Sequence, residues 1–259
     1  MKRFARQVLL LLFALPSMPA LAEDCDPRFA KSPQFAAAGC TFQNPPNPNA
    51  KPHRSTWDIW SRLLLEKKNG TVPVDPVPVR MLDRAALAAL DNTSNHIIRL
   101  GHSSHLLKLR GKWWLIDPVF GERVSPVSWA GPMRFHPSPV ALADIPPIEG
   151  LVLSHDHYDH LDVPTIEALK DRVQRYFVPL GVGQRLRDWG VSADRIEEMD
   201  WWQERQWGDV TVTAAPAQHF SGRTLWDRNK TLWASWALKS GSESIFYSGD
   251  TGYFAGFKE

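Results

Sequence analysis

The stretch SHDHYDHLD, residues 154–162, places three histidines and three aspartates in nine positions, directly after an apolar run. Side chains two apart on an extended chain point the same way, so His155 and His157 can converge on one ion. As the chain turns, Asp159 and His160 can reach a second ion. A lone histidine would more simply be a hydrogen-bonded structural residue. Four donors within six positions instead predict a metal centre. Imidazole and carboxylate donors without thiolate suit zinc first, with iron or manganese as alternatives.

Two later segments offer further donors. His219 in APAQHFSGR and Asp250 in YSGDTGYF each follow a predicted strand. Gly249 and Gly252 flank the aspartate and would allow close approach of the backbone. Each signal is weak alone, because Gly-Asp-x-Gly is commonly just a turn. Because His219 and then Asp250 follow the histidine cluster along the chain, they add two further possible metal donors to it.

Short strands must position these donors. HIIRLG and HLLKLRGKWWLIDPVF have the period-two character of strands, with Arg110, Gly111 and Lys112 turning between two runs. IEGLVLS is a buried strand that leads into the cluster, and VPTIEALKD is a helix after it. The segments RYFVPL, GVGQRLRDWG, RIEEMD, DVTVTAAPA, LWASWALKS and ESIFYSGD continue the alternation of strands and helices. Early hairpins followed by strand–helix units predict mixed sheets with outer helices.

The first 22 residues have the layout of a secretory signal peptide. A basic start precedes an apolar run at 8–15, then Pro16 and a small-residue sequence that predicts cleavage after Ala22. A transmembrane anchor is the alternative, but eight apolar residues fall short of the roughly 20 that span a bilayer. The layout therefore predicts a periplasmic or secreted protein.

Cys25 and Cys40 lie just after the predicted cleavage point. An oxidising compartment would favour a disulfide between them, with two free thiols as the alternative. Neither cysteine has C-x-x-C spacing, so no cysteine metal site is expected.

Residues 23–92 are expected to form an arm and helices. A segment rich in Pro and Asn up to residue 55 predicts an extended arm. STWDIWSRLLLEKKNG predicts an amphipathic helix, because Trp57, Trp60 and Leu64 recur at helical spacing. Its tryptophans are expected to pack against the body of the protein, with peripheral contact with a membrane as the alternative. A second short helix is expected over residues 84–91.

At this point the sequence resembles the metallo-β-lactamase superfamily, whose motif is His-x-His-x-Asp-His with a later His and Asp. GHSSHLLKLRGKWWLIDPVF, GPMRFHPSP, MDWWQE and QHFSGRTLWDRNKTLWASWAL further resemble the branch that contains N-acyl-phosphatidylethanolamine phospholipase D. The resemblance runs from about Thr93 to Phe254. It implies an α+β fold, the four-layer αββα sandwich, over residues 93–259.

The resemblance also implies a ligand set and a reaction. His155, His157 and His219 would hold one zinc ion and Asp159 and His160 the other. Asp250 would bridge the two ions, and Asp159 and Asp250 would be the catalytic carboxylates. A metal-bound hydroxide would hydrolyse the phosphodiester of an N-acyl-phosphatidylethanolamine-like phospholipid. A lactone, a β-lactam or a sugar phosphate on the same site is the alternative substrate.

The family pattern continues past GDTGYF to a last metal-ligand histidine, whereas no histidine follows Asp250 in this sequence. The second zinc ion would therefore lack one protein ligand. The second half of the sandwich is expected to be incomplete, as in a fragment or a truncated copy. An inactive product that binds metal without turnover is the non-enzymatic alternative.

Other polar residues are left outside the ligand set. His102 and His105 in GHSSH are expected to be hydrogen-bonded sheet histidines. Asp156 and Asp162 could orient imidazoles or be exposed loop acids.

Basic residues form no patch along the chain. Arg223 and Lys230 could meet a phosphate or form surface salt bridges. Without the first 22 residues the chain has 27 basic and 28 acidic residues, since three of the 30 Lys and Arg lie there. A nucleic-acid partner is therefore not expected.

Overall fold

A computed structural model describes residues 25–47, 70, 72–127 and 129–258. The predicted signal peptide and the helix predicted for STWDIWSRLLLEKKNG lie outside these residues, apart from Gly70. Within the described ranges, no helix has the length and apolar character needed to cross a membrane.

Twelve strands and three α-helices make up the regular structure of the described residues. The strands are β1 Phe35–Ala36, β2 Thr41–Phe42, β3 His96–Gly101, β4 Ser104–Leu109, β5 Lys112–Ile116, β6 Ile148–Val152, β7 Val173–Pro179, β8 Ile196–Met199, β9 Glu204–Trp207, β10 Val210–Ala215, β11 Ser235–Ser240 and β12 Glu243–Tyr247. The helices are α1 Arg84–Ala88, α2 Val163–Leu169 and α3 Val182–Asp188. Short 3₁₀ helices cover Pro27–Phe29, Leu142–Asp144, Ala193–Arg195 and Ala255–Lys258.

The larger sheet has the order β3-β4-β5-β6-β7-β8 and mixes both pairings. Strands β3 to β5 are antiparallel. Arg110 and Gly111 form the tight turn between β4 and β5, and both have positive φ angles, as a two-residue hairpin turn favours. From β5 to β8 the strands are parallel, and α2 and α3 lie in the crossovers that parallel pairing requires. The predicted mixed sheet is confirmed.

The smaller sheet has the order β12-β11-β10-β9 and is antiparallel throughout. Strand β10 shows which face of this sheet is buried. Val210, Val212 and Ala214 are buried, while Thr211 and Thr213 between them are partly exposed. This alternation places one face of the sheet on a core.

Two apolar cores hold the layers together. The inner core joins the two sheets, with Trp114 and Phe177 of the larger sheet packed with Trp236 of the smaller one. The outer core lies under the helices and contains Ile166 of α2 and Leu186 of α3. The described residues therefore form a helix layer and two facing sheets, and the predicted α+β sandwich is confirmed.

Strand β6 carries the histidine cluster and is buried on both faces. Gly150 in its middle lets the indole of Trp114 lie against the backbone, since a Cβ there would be 2.3 Å from a ring carbon. This packing fixes the strand whose end supports the cluster.

The arm before residue 48 lies on the body of the protein. A disulfide joins Cys25 to Cys40, which confirms the predicted pairing. Phe29, Phe35 and Phe42 form a ring cluster with centroids 5.2 to 5.6 Å apart. Phe42 is fully buried in the inner core. The arm is therefore fastened both by a covalent bond and by apolar burial.

Candidate metal centre

The cluster begins where β6 ends. The backbone N–H of Ser154 donates to Asp117 at 2.7 Å, and its carbonyl accepts from Ala234 N at 2.9 Å. The chain then turns tightly, because the N–H groups of His160 and Leu161 both donate to the carbonyl of His157. The turn brings the ring of His160 back beside that of His155, with centroids 4.1 Å apart.

Three histidine nitrogens converge and define what we call the first set: His155, His157 and His219. His155 Nε2 lies 2.8 Å from His157 Nδ1, and His219 Nε2 lies 3.2 and 3.3 Å from these two atoms. Tetrahedral zinc with bonds of about 2.0 Å separates neighbouring donors by about 3.3 Å. The three nitrogens therefore fit around one ion.

The protonation of the first set also suits a metal. Burial lowers the pKa of His155 and of His157, and in His155 the neighbouring imidazoles lower it further. Burial and His157 together lower the pKa of His219 to about 4. The rings are therefore neutral at pH 7, which is the form that binds metal ions.

A second set of donors consists of His102, Asp159, His160 and Asp250. His102 Nε2 lies 3.2 Å from Asp159 Oδ2, and His160 Nε2 lies 3.1 Å from Asp250 Oδ1. The pKa of Asp159 is raised by burial, but His102 and His160 outweigh this and lower it to about 2. The adjacent imidazole of His160 lowers the pKa of Asp250. Both carboxyl groups are thus charged at neutral pH.

The side chain of His160 is fully buried, and its Nε2 has no well-directed hydrogen bond among the described residues. The approach of Asp250 Oδ1 at 3.1 Å is an ion-pair distance, off the line of the ring N–H. Burial lowers the pKa of His160, but the charges of Asp117 and Asp250 raise it to about 10. A buried nitrogen facing a carboxylate in this way needs a cation between them, either a proton or a metal ion.

Asp117 contacts a histidine of each set, His160 directly and His155 through Ser154. It follows β5, is fully buried, and accepts hydrogen bonds from His160 Nδ1 at 2.6 Å and Tyr247 Oη at 2.7 Å. It also accepts from Ser154 Oγ at 2.5 Å, and that hydroxyl lies 2.9 Å from His155 Nδ1. Asp117 lies close enough to His155 and His160 to be a metal ligand itself. Since its oxygens are already occupied by these donors, we assign it to holding the imidazoles.

The structure places Asp250 beside the end of β12. Gly249 before it has φ +55°, and a Cβ there would lie 2.9 Å from the Cβ of Ser154, so the predicted close approach of the backbone is confirmed. The backbone also approaches closely at Gly252, which forms an isolated bridge with Gln218. Gly252 N donates to the carbonyl of Gln218, but an added Cβ would meet no atom closer than 3.5 Å.

The arm holds His219. Asn44 Oδ1 accepts from the backbone N–H of His219 at 2.9 Å, and Asn44 Nδ2 donates to the carbonyl of the same residue at 2.7 Å. Trp233 Nε1 donates to Ala217 at 2.9 Å and to Asn44 Oδ1 at 3.2 Å. These contacts fix the loop after β10 and hence the position of the imidazole.

Two predictions about neighbouring polar residues are corrected. His102 is not a sheet histidine: it lies in the turn between β3 and β4 with its side chain 54% exposed. His105 is a hydrogen-bonded sheet histidine as predicted, with Nδ1 bonded to the carbonyl of Ser103. Asp156 lies in the loop but is not exposed: it is buried, accepts from Arg185 and Gly222, and bonds no imidazole among the described residues.

Asp162 accepts from Gly121 N and from the hydroxyl of Thr165, with no bond to an imidazole among the described residues. The guanidinium of Arg223 donates to the carbonyls of Asp156 and Leu161, and it forms no salt bridge among the described residues. Its contact with a phosphate stays a prediction. Lys230 Nζ donates to the carbonyl of Gly39 on the arm.

Three functional residues were missed at the sequence level: Asp117, Asn44 and His102. The only signal for Asp117 is an acid directly after the apolar strand WWLI. Asn44 lies in a Pro- and Asn-rich segment that offers no signal. His102 carries a signal that was interpreted wrongly, since Gly101 before it marks a turn and not a continuing strand.

The comparison with known families agrees with this architecture. Residues 112–258 match the beta-lactamase superfamily domain, which is more than half of the chain. The chain belongs to the metallo-β-lactamase superfamily. The membership predicted from the motif is therefore confirmed.

Relatives within the superfamily share a large part of the sequence. An uncharacterised protein of Mycobacterium tuberculosis is 44% identical over 205 residues, which cover 78% of this chain and 52% of the relative. N-acyl-phosphatidylethanolamine-hydrolyzing phospholipase D 1 of Caenorhabditis elegans is 36% identical over 163 residues, covering 60% of this chain and 46% of the relative. The chain spans about half the length of these relatives.

A solved structure to which the chain is similar is that of an isothiocyanate hydrolase from Delia radicum gut bacteria. It is 20% identical, with a TM-score of 0.49, and the match covers 63% of this chain and 65% of that one.

Proposed function

We propose that this chain hydrolyses phosphodiesters at a centre of two divalent ions, with zinc as the metal and an N-acyl-phosphatidylethanolamine-like phospholipid as the substrate. The observation that carries the proposal is the presence of two adjacent donor sets, both built on the loop after β6. Histidine and carboxylate donors without thiolate suit zinc. The name of the Caenorhabditis elegans relative supports the choice of substrate.

Divalent ions in these sets would supply Lewis acidity at a phosphoryl oxygen and lower the pKa of a coordinated water. The residues of the chain prepare this chemistry. Asp117 accepts a hydrogen bond from Nδ1–H of His160, which leaves Nε2 of the same ring as the atom that would bind metal. Ser154 donates its hydroxyl proton to Asp117 and accepts from His155 Nδ1, which turns His155 Nε2 toward the first set.

The two carboxylates assigned as catalytic, Asp159 and Asp250, act as ligands and not as general acids. With a pKa of about 2, Asp159 carries no proton to give at neutral pH. The lowered pKa of Asp250 leads to the same conclusion. Asp250 belongs to the second set, and its charge also acts on His219 of the first. This position supports the proposal that it bridges the two ions.

One apolar side chain, Phe220, borders the first set. The ring of Phe220 is 39% exposed and packs against His157 and His219, with centroids 4.6 and 4.7 Å away. Arg228 lies over the same ring, 4.7 Å from its centroid. An apolar side chain and a cation beside the donors suit an amphiphilic phosphodiester better than a small polar substrate.

We further propose that the protein works in the periplasm or outside the cell. The layout of the first 22 residues supports export. The disulfide between Cys25 and Cys40 supports an oxidising compartment. Mass spectrometry of the chain purified from its own cells would show loss of residues 1–22; an intact N-terminus would contradict export.

The function is tested on the full chain by elemental analysis and turnover. We expect bound zinc, lost in the variant His155→Ala/His157→Ala, and hydrolysis of bis-p-nitrophenyl phosphate and of N-acyl-phosphatidylethanolamine in vesicles. His136→Ala is the control, because His136 lies outside both sets and bonds the carbonyl of Pro137. A chain without metal, or one that hydrolyses only nitrocefin or a homoserine lactone, would refute the proposal.

A further inference from the structure

The turn between β3 and β4 brings a fourth donor to the second set. The geometry points to His102 as a direct ligand of the second metal ion, through its Nε2 atom. This inference rests on the proposed function, because it takes the two-ion centre as given. It adds to the centre a residue that the histidine cluster does not contain.

The distances fit coordination. His102 Nε2 lies 3.2 Å from Asp159 Oδ2, against the donor separation of about 3.3 Å expected around tetrahedral zinc. One donor atom from each of His102, Asp159, His160 and Asp250 lies within 4.8 Å of the other three. Two imidazoles and two carboxylates make four protein donors for the ion.

A second observation points to a cation at the same place. His160 Nε2 is buried, without a well-directed hydrogen bond among the described residues, and lies 3.1 Å from Asp250 Oδ1. The ring of His102 meets that of His160 edge-on, with centroids 5.3 Å apart. The exposed ring of His102 therefore lies beside the ring that carries this buried nitrogen.

The simpler account is an exposed His102–Asp159 ion pair, but such pairs contribute little to stability. The backbone of His102 has φ +37°, in the left-handed region. In this conformation the ring of His102 lies beside His160 and Asp159. By contrast, His105 bonds the carbonyl of Ser103 and packs against Tyr247. Only the first of these two histidines belongs to the second set.

The assignment divides the roles of the two ions. The first set has three imidazole donors of its own besides the bridging Asp250, and His102 is not one of them. The second set, with His102, offers four protein donors. Loss of His102 should therefore weaken the second ion and leave the first in place.

The experiment titrates zinc into chelator-stripped full-length protein by calorimetry, with elemental analysis of the dialysed product. The parent should bind two ions. His102→Ala should retain one and bind the other more than ~10-fold less tightly. His105→Ala, from the same hairpin, should bind both ions as the parent does. His102→Gly, which suits the positive φ, serves as a second variant, and circular dichroism of the stripped proteins checks the fold.

Free imidazole separates a ligand from a residue that only positions Asp159. Because His102 is more than half exposed, imidazole can reach the position vacated in His102→Gly and should restore binding of the second ion. Lack of restoration would assign His102 to positioning and overturn the inference. It would also be overturned if His102→Ala still bound two ions with unchanged affinity, or if the parent bound only one. A parent that binds no metal would instead refute the proposed function itself.

Discussion

At the residue scale, the centre depends on one buried carboxylate. Asp117 is not a donor in either of the two sets, yet it accepts four hydrogen bonds from three residues: Ser154, His160 and Tyr247. Its negative charge raises the pKa of His160 against the effect of burial. Through these contacts, Asp117 determines which ring nitrogen His160 presents to a metal.

Asp117→Asn should lower zinc affinity by about 10–100-fold with little change in the fold. Asparagine has almost the same shape but only one acceptor oxygen, so it cannot satisfy all four donors. Affinity would be measured by competition with a chromophoric chelator. Asp162→Asn is the matched control, because Asp162 is a nearby carboxylate without a bond to an imidazole among the described residues. Equal losses in the two variants would contradict the role of Asp117.

At the element scale, the donors are brought together by three strand ends and a turn. Strand β6 supports the cluster, β10 leads to His219, β12 leads to Asp250, and the β3–β4 turn carries His102. The arm also holds the loop after β10, because Asn44 bonds both backbone groups of His219; we call this contact the clasp. A segment outside both sheets thus helps to position a donor.

Asn44→Ala should weaken zinc binding at the first set by about 10-fold, since an indirect partner of a ligand is removed. Binding at the second set should stay as in the parent. Calorimetric titration of the two ions distinguishes these effects. Gln43→Ala, an exposed neighbour on the same arm, is the control. If both ions were weakened alike, the clasp would have a general structural role and not one directed at His219.

Local patterns explain what could be predicted from sequence. His155, His157, Asp159 and His160 lie in one short motif, so their convergence follows from the strand and turn around them. Asp117 could not be predicted in this way, because its partners lie 37, 43 and 130 residues away. Asn44 and His219 are 175 residues apart. Only the tertiary packing of the sheets and the arm, and no local spacing, brings such pairs together.

At the scale of the whole molecule, the centre ties the two sheets together. His155 and His160 follow the larger sheet, while His219 and Asp250 follow strands of the smaller one. An ion held by donors from both sheets binds the folded chain and not the unfolded one. Metal binding should therefore stabilise the packing of one sheet on the other.

Removal of metal with a chelator should lower the free energy of unfolding. An ion present at a hundred times its dissociation constant contributes about 2.7 kcal/mol. Denaturant unfolding with and without the chelator measures the difference. His157→Ala, which removes one donor of the first set, should respond less than the parent. Identical unfolding curves for the metal-loaded and the stripped parent would contradict the prediction.

The clasp of Asn44 on His219 also bears on the order of folding. Contacts between residues so distant in the chain close late, because the loop between them must first be ordered. We therefore expect the first set to reach its final geometry only after both sheets have formed. On this expectation the metal centre is a product of folding, and metal binding should follow the packing of the two sheets.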